Sequence, residues 1–214
     1  MPYLATSDDD DPTPPPRAPR RPLVIRVVSA VDEERCGLDG VSLGVGMLVA
    51  GIATARLLAS ERPDAVIFVG TAGAYPGGPP VGSVVTARKF GVVSGTATLG
   101  LGYVPRAPEP LPADPDLLGA LGLPLVDVAC LVAITTDPAL AARIGASWQV
   151  EHMEAYGVAA ACAAAGTSTG RIAFAAVLGI TNVVGPSAHA EWRANREACQ
   201  AAAAGAVARL VAGR

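Results

Sequence analysis

Aromatic side chains are scarce in this chain. Three Phe, two Trp and four Tyr make up 4% of 214 residues. Hydrophobic residues nevertheless reach 51%, so the core has to be assembled from Ala, Val, Leu and Ile. Charge is scarce as well, at 16% of residues with a net charge of −3. No basic surface advertises nucleic acid or an anionic membrane, which leaves a small molecule or a protein as the expected partner. The only histidines are His152 and His189. With no third ligand near either, no metal is expected. Cys36, Cys130, Cys162 and Cys199 form no CxxC pair, which again argues against a metal site. They read as reduced thiols of a cytoplasmic protein, Cys130 and Cys162 serving as small hydrophobes. No run reaches the roughly 18 apolar residues of a membrane span. Gly-Lys-Thr/Ser and GxGxxG signatures are both missing, so neither a P-loop nor a dinucleotide site, and no cofactor, is expected.

The first 21 residues carry Asp8 to Asp11, a proline-rich stretch, and Arg17, Arg20 and Arg21. They lack a signal-peptide core and read as a disordered tail. Residues 22–214 read as one α/β domain with a central mixed, mostly parallel sheet flanked by helices. Strand-like runs are Leu23 to Ala30, Val41 to Val45, Asp64 to Val69, Val81 to Ala87, Leu125 to Ile134 and Arg171 to Ile180. Helical spacing covers Met47 to Ser60, Asp116 to Leu121, Ala139 to Ile144, Ala155 to Ala165 and Arg193 to Val211. The Gly- and Pro-rich stretch from Gly91 to Asp114 reads as a loop or lid. Ligands of such sheets collect beyond strand C-termini.

Three segments carry candidate chemistry. Gly70-Thr71-Ala72-Gly73 follows a strand, where glycines admit a ligand to the backbone and Thr71 offers a hydroxyl. A tight turn is the commoner reading of such a loop. Glu151 and Glu154 lie three apart at an expected helix start. They complement the helix dipole, or one of them accepts hydrogen bonds from vicinal ribose hydroxyls while Met153 packs on the sugar. Thr181-Asn182 closes an apolar run, and Asn182 is either a turn former before Gly185-Pro186 or a carboxamide for a purine edge.

From Leu23 onward the chain resembles the purine nucleoside phosphorylase/nucleosidase superfamily. The resemblance rests on Ser29-Ala30-Val31-Asp32-Glu33-Glu34, Leu43-Gly44-Val45-Gly46, Gly70-Thr71-Ala72-Gly73, Met153-Glu154 and Thr181-Asn182. It is closest to the hydrolase branch, which holds futalosine hydrolase and methylthioadenosine/S-adenosylhomocysteine nucleosidase. The resemblance implies catalytic roles for Glu34, which activates water, and Asn182, which stabilises the departing base. It implies substrate binding by Val31, Thr71, Ala72, Gly73, Met153, Glu154 and Thr181, and assembly as a homo-oligomer. Val31 and the Gly91–Asp114 loop are expected at the 5′ end of the nucleoside. Asn in place of a base-facing Asp implies a 6-oxopurine. Phe68 stands where hexameric phosphorylases carry a phosphate-binding Arg, which implies water as nucleophile; a phosphorylase or a binding-only relative is the alternative. One departure is plain: the resemblance implies a helix and a β-hairpin between Glu34 and Gly44, whereas only nine residues separate them here.

Overall fold

In the computed structural model, residues 23–166 and 171–213 are described. The tail expected over residues 1–21 lies outside them. Strand β1 (Ile25–Ser29) is followed by a 3-10 turn over Asp32–Arg35, then β2 (Val41–Ser42) and helix α1 (Met47–Glu61). Next come β3 (Ala65–Ala74), β4 (Val84–Val92), α2 (Gly95–Thr98), β5 (Leu111–Pro112) and α3 (Pro115–Leu121). The chain continues through β6 (Leu125–Cys130), α4 (Pro138–Gly145), β7 (Val150–His152), α5 (Ala155–Ala164), β8 (Ala173–Val183) and α6 (Ala188–Ala212).

The sheet is mixed, with the order β2-β1-β3-β7-β6-β4-β5, and β8 pairs with both β3 and β4. Pairing therefore closes into a ring, β3-β8-β4-β6-β7 and back to β3. Among the described residues, five of the eight pairings are parallel. A closed ring satisfies the edges of its strands internally and leaves one end open to loops.

Small residues set how closely the helices lie. α1 crosses α5 where Gly51 meets Gly157, and a Cβ on Gly157 would fall 2.1 Å from the Met47 carbonyl oxygen. α6 lies on β8 over Gly179, where a Cβ would meet the Cys199 carbonyl at 2.5 Å. Val69, Val177, Ala203 and Val207 fill that layer. Phe68, Leu178, Val128 and Val158 belong to the larger cluster on the α1–α5 side. Ala at these helix positions lets backbones approach without a large side-chain entropy cost. All four cysteines are free, three of them buried. No described helix is long and apolar enough to cross a membrane.

Several sequence-based boundaries need correction. The Gly70–Gly73 stretch is not a loop. It is the second half of β3, paired with β8 and, at Gly73, with β7. Glu151 and Glu154 do not share a helix start: Glu151 is in β7, and only Glu154 precedes α5. β2 stops at Ser42 because Gly44 and Gly46 take positive φ. β6 stops at Cys130, well before Ile134. α6 begins at Ala188, one turn and more before the expected Arg193.

Candidate active site

A cavity of about 420 Å³ opens where β1, β3, β7 and β8 end beneath the N-terminus of α6. Glu34, Asn182, Thr71, Ala72 and Gly73 line it, as do Val31, Met153, Glu154 and Thr181. All nine residues expected from the sequence thus share one wall system, although they come from four separate segments.

Glu34 sits in the 3-10 turn, and its side chain turns inward. Its carboxylate accepts the Ala30 backbone N–H at 3.1 Å and the Thr71 N–H at 3.2 Å, with the Thr71 hydroxyl at 3.4 Å. Burial pushes its pKa up to about 7, and the nearby Glu154 charge adds to the rise against the pull of the backbone N–H donors. Gly70 makes the approach possible, because a Cβ there would lie 2.8 Å from Phe68 Cε1 and 3.2 Å from Glu34 Oε1. The short connection to β2 is fastened by Arg35, which donates to Ser29 Oγ at 2.9 Å, Ser42 Oγ at 2.7 Å and Asp32 Oδ1 at 2.6 Å.

Glu154 Oε1 accepts the Gly46 N–H at 2.7 Å, which ties the Gly44-Val45-Gly46 turn to the start of α5. His152 Nδ1 lies 3.4 Å from Glu154 Oε2. That contact is not an ion pair: the same Nδ1 accepts the backbone N–H groups of Glu154 and Ala155 at 3.1 Å each. The proton must therefore sit on Nε2, and burial keeps the imidazole pKa below its ordinary value. The ring meets Phe68 edge-on, with centroids 5.1 Å apart.

Asn182 reaches the cavity through a β-bulge. The β3–β8 register runs Ala72 with Ile180 and then Gly73 with Asn182, leaving Thr181 as the extra residue. Thr181 Oγ1 donates toward Asn182 Oδ1 at 2.9 Å, with Ala72 O at 3.2 Å as a second acceptor. α6 braces this segment from behind. Asn195 Nδ2 donates to Thr181 O at 3.0 Å, and Glu191 Oε2 accepts the Val183 N–H at 2.8 Å.

Sequence reading missed several wall residues. Trp192 Nε1 donates to the Thr71 hydroxyl at 3.3 Å. His189 and Ile134 also line the cavity, as do His152, for which a ligand contact and a surface or capping role are equal readings of the sequence, and Glu151, which the sequence offers either to the helix dipole or to the ribose. The period-2 alternation of a three-residue strand is too short to see in the sequence, so the inward aim of Glu151 gave no local signal. Among the described residues no Lys or Arg lines the cavity, and Phe68 is fully buried.

A family model described as the phosphorylase superfamily matches residues 35–213. The chain belongs to that superfamily. It is 34% identical over 194 residues to the futalosine hydrolase of Thermus thermophilus, covering 82% of each chain. With that relative it falls among the superfamily's N-glycosidic bond hydrolases. The fold matches a futalosine hydrolase mutant of Helicobacter pylori with a TM-score of 0.77, at 16% identity, over 90% of this chain and 100% of that one. It also matches the 5′-methylthioadenosine/S-adenosylhomocysteine nucleosidase of Neisseria meningitidis, in complex with methylthio-immucillin-A. There the TM-score is 0.73 at 20% identity, over 89% of this chain and 99% of that one. The superfamily match begins at Arg35, directly after Glu34.

Proposed function

We propose that this hydrolase cleaves the N-ribosidic bond of a 6-oxopurine nucleoside, as a futalosine hydrolase-like enzyme, with water as nucleophile. The observation that carries the reading is the Glu34 carboxylate, buried at the cavity wall on the Thr71 N–H and poised near pH 7. A general base is most effective when its pKa lies near the working pH.

In this reading Glu154 accepts hydrogen bonds from the ribose hydroxyls while Met153 packs on the sugar. The C1′–N9 bond loosens toward an oxocarbenium-like state, and its electron pair goes to the base. Water bonds to C1′ through its oxygen, and Glu34 takes its proton, with the Thr71 hydroxyl helping to hold that water. Asn182 stabilises the departing base anion by hydrogen bonds until the base takes up a proton from solvent. Ala72, Gly73 and Thr181 shape the base end, and Val31 the 5′ end. The cavity wall free of Lys and Arg among the described residues supports water over phosphate.

A phosphorylase is the second reading, favoured only by the superfamily match itself. Base release followed by chromatography separates the two. Free hypoxanthine from futalosine or inosine without phosphate supports the hydrolase, and release that needs phosphate supports the phosphorylase. The partner we infer is a small purine nucleoside, and the working form a homo-oligomer. α1 exposes Leu48, Val49 and Ile52, and Val45 and Ile134 at the cavity rim are exposed as well, apolar side chains of the kind that mark an interface.

A further inference from the structure

We propose that Glu151 is a specificity-determining residue that reads the N1–H of a 6-oxopurine, opposite Asn182. The inference rests on the nucleosidase reading above and extends it to the far edge of the base.

Gly73 is the register partner of Glu151 on one side and of Asn182 on the other. Register partners on neighbouring strands project to the same face. Glu151 and Asn182 therefore stand on one face, two strand spacings or roughly 10 Å apart at the backbone. Between them Gly73 contributes no side chain. A Cβ there would lie 2.8 Å from Asn182 Nδ2 and 3.0 Å from Val184 Cγ2. The Asn182 carboxamide thus lies over Gly73, the residue that pairs with Glu151, and carboxamide and carboxylate line the same cavity.

The carboxylate is held in place and not saturated. Glu151 Oε2 accepts the Tyr75 hydroxyl at 2.8 Å, and Oε1 accepts the Thr135 N–H at 2.9 Å. Burial, with the adjacent Glu151 charge, raises the Tyr75 pKa, which keeps the phenol a donor. An ionised carboxylate has about four acceptor sites, so roughly two remain for a ligand. Among the described residues, every neighbour that bonds to this carboxylate donates to it, so its free capacity is for a donor.

The two families of purine differ at this edge. A 6-oxopurine carries N1–H, a donor, whereas a 6-aminopurine carries N1 as an acceptor. A fixed carboxylate rewards the first and repels the lone pair of the second. Asn182 alone cannot decide between them, because a carboxamide can donate or accept at position 6. Glu151 removes that ambiguity.

Calorimetric titration of the full chain with hypoxanthine, N1-methylhypoxanthine and adenine tests the assignment. The native protein should bind hypoxanthine about tenfold or more tighter than the N1-methyl base, the scale of a lost charge-assisted hydrogen bond. In Glu151→Gln the amide can donate to N1 of adenine, so the preference for hypoxanthine over adenine should fall by about tenfold. Equal binding of hypoxanthine and its N1-methyl form by the native protein would overturn the Glu151 role while leaving the nucleosidase reading intact. So would a Glu151→Gln variant that loses affinity for both bases by one factor, since Glu151 would then only hold Tyr75 and Thr135. Native protein that prefers adenine, or binds no purine base, would remove the 6-oxopurine reading and this inference with it. The native arm needs no variant to fold.

Discussion

The Glu34 carboxylate accepts the backbone N–H of Thr71 at 3.2 Å, across 37 residues of chain. This bond seats a residue from a short surface turn over the middle of β3. It makes Glu34 part of the same cavity as Glu154 and Asn182. From that seating follow burial, a raised pKa and a base matched to neutral pH.

The first expectation concerns pH. Glu34 must be ionised to take a proton from water, and its pKa is raised to about 7. The turnover number should therefore rise with pH through about 7, close to tenfold per unit below it, and level off above. A pH–rate profile checks this, and a limb near 4.5 would show Glu34 to be solvated during turnover.

The same shift has a cost in stability. The folded-state pKa lies above the ordinary carboxylate value of 4.5, so the folded protein holds the proton more tightly than the unfolded chain. Stability is unaffected below about 4.5 and is lost as pH rises to about 7, by up to ~3 kcal/mol. Glu34→Gln should melt higher than the native chain at pH 8, and the difference should shrink by pH 4.5. Thermal melts at the two pH values measure it.

Gly73→Ala probes the base end. Its Cβ would press on Asn182 Nδ2 at 2.8 Å and on Val184 Cγ2 at 3.0 Å. Displacing the carboxamide by a fraction of an ångström should cost ~10- to 100-fold in kcat/KM. Circular dichroism should be unchanged, because position 73 remains an ordinary strand residue. Unaltered kinetics would place the base elsewhere.

Arg35→Ala probes the shortened connection. Arg35 ties the 3-10 turn to Ser29 and Ser42. Without it the turn should loosen, Glu34 should lose its seat, and kcat should fall ~10-fold or more while base affinity holds. Steady-state kinetics beside base titration separates the two.

Much of this arrangement was legible in the sequence, and the reasons differ by element. β-Branched runs such as the one at Val66 to Val69 announce buried strands because nothing else packs so well on a pleated surface. Thr181-Asn182 stands out because a polar group at the end of an apolar run needs partners, and Met153-Glu154 through the resemblance to the superfamily. Gly70 and Gly73 misled, since a glycine reads as a turn when taken alone. Here both lie inside a strand, because Glu34 and Asn182 occupy the space a Cβ would need. That reason is tertiary and has no local trace. Arg35 was equally silent, because its three partners come together only when β1 and β2 pair. The bulge at Thr181 depends on the register with β3, which the sequence of β8 alone does not set.

The most direct measurement is turnover and base binding side by side in Glu34→Gln, with futalosine or inosine as substrate in phosphate-free buffer. If Glu34 activates the water, hypoxanthine release should fall by at least ~100-fold, the scale of a lost general base, while hypoxanthine binds within about threefold of the native affinity, a difference under 1 kcal/mol. Release near the native rate would contradict the account, for the carboxylate seated on Thr71 would then have no part in the chemistry.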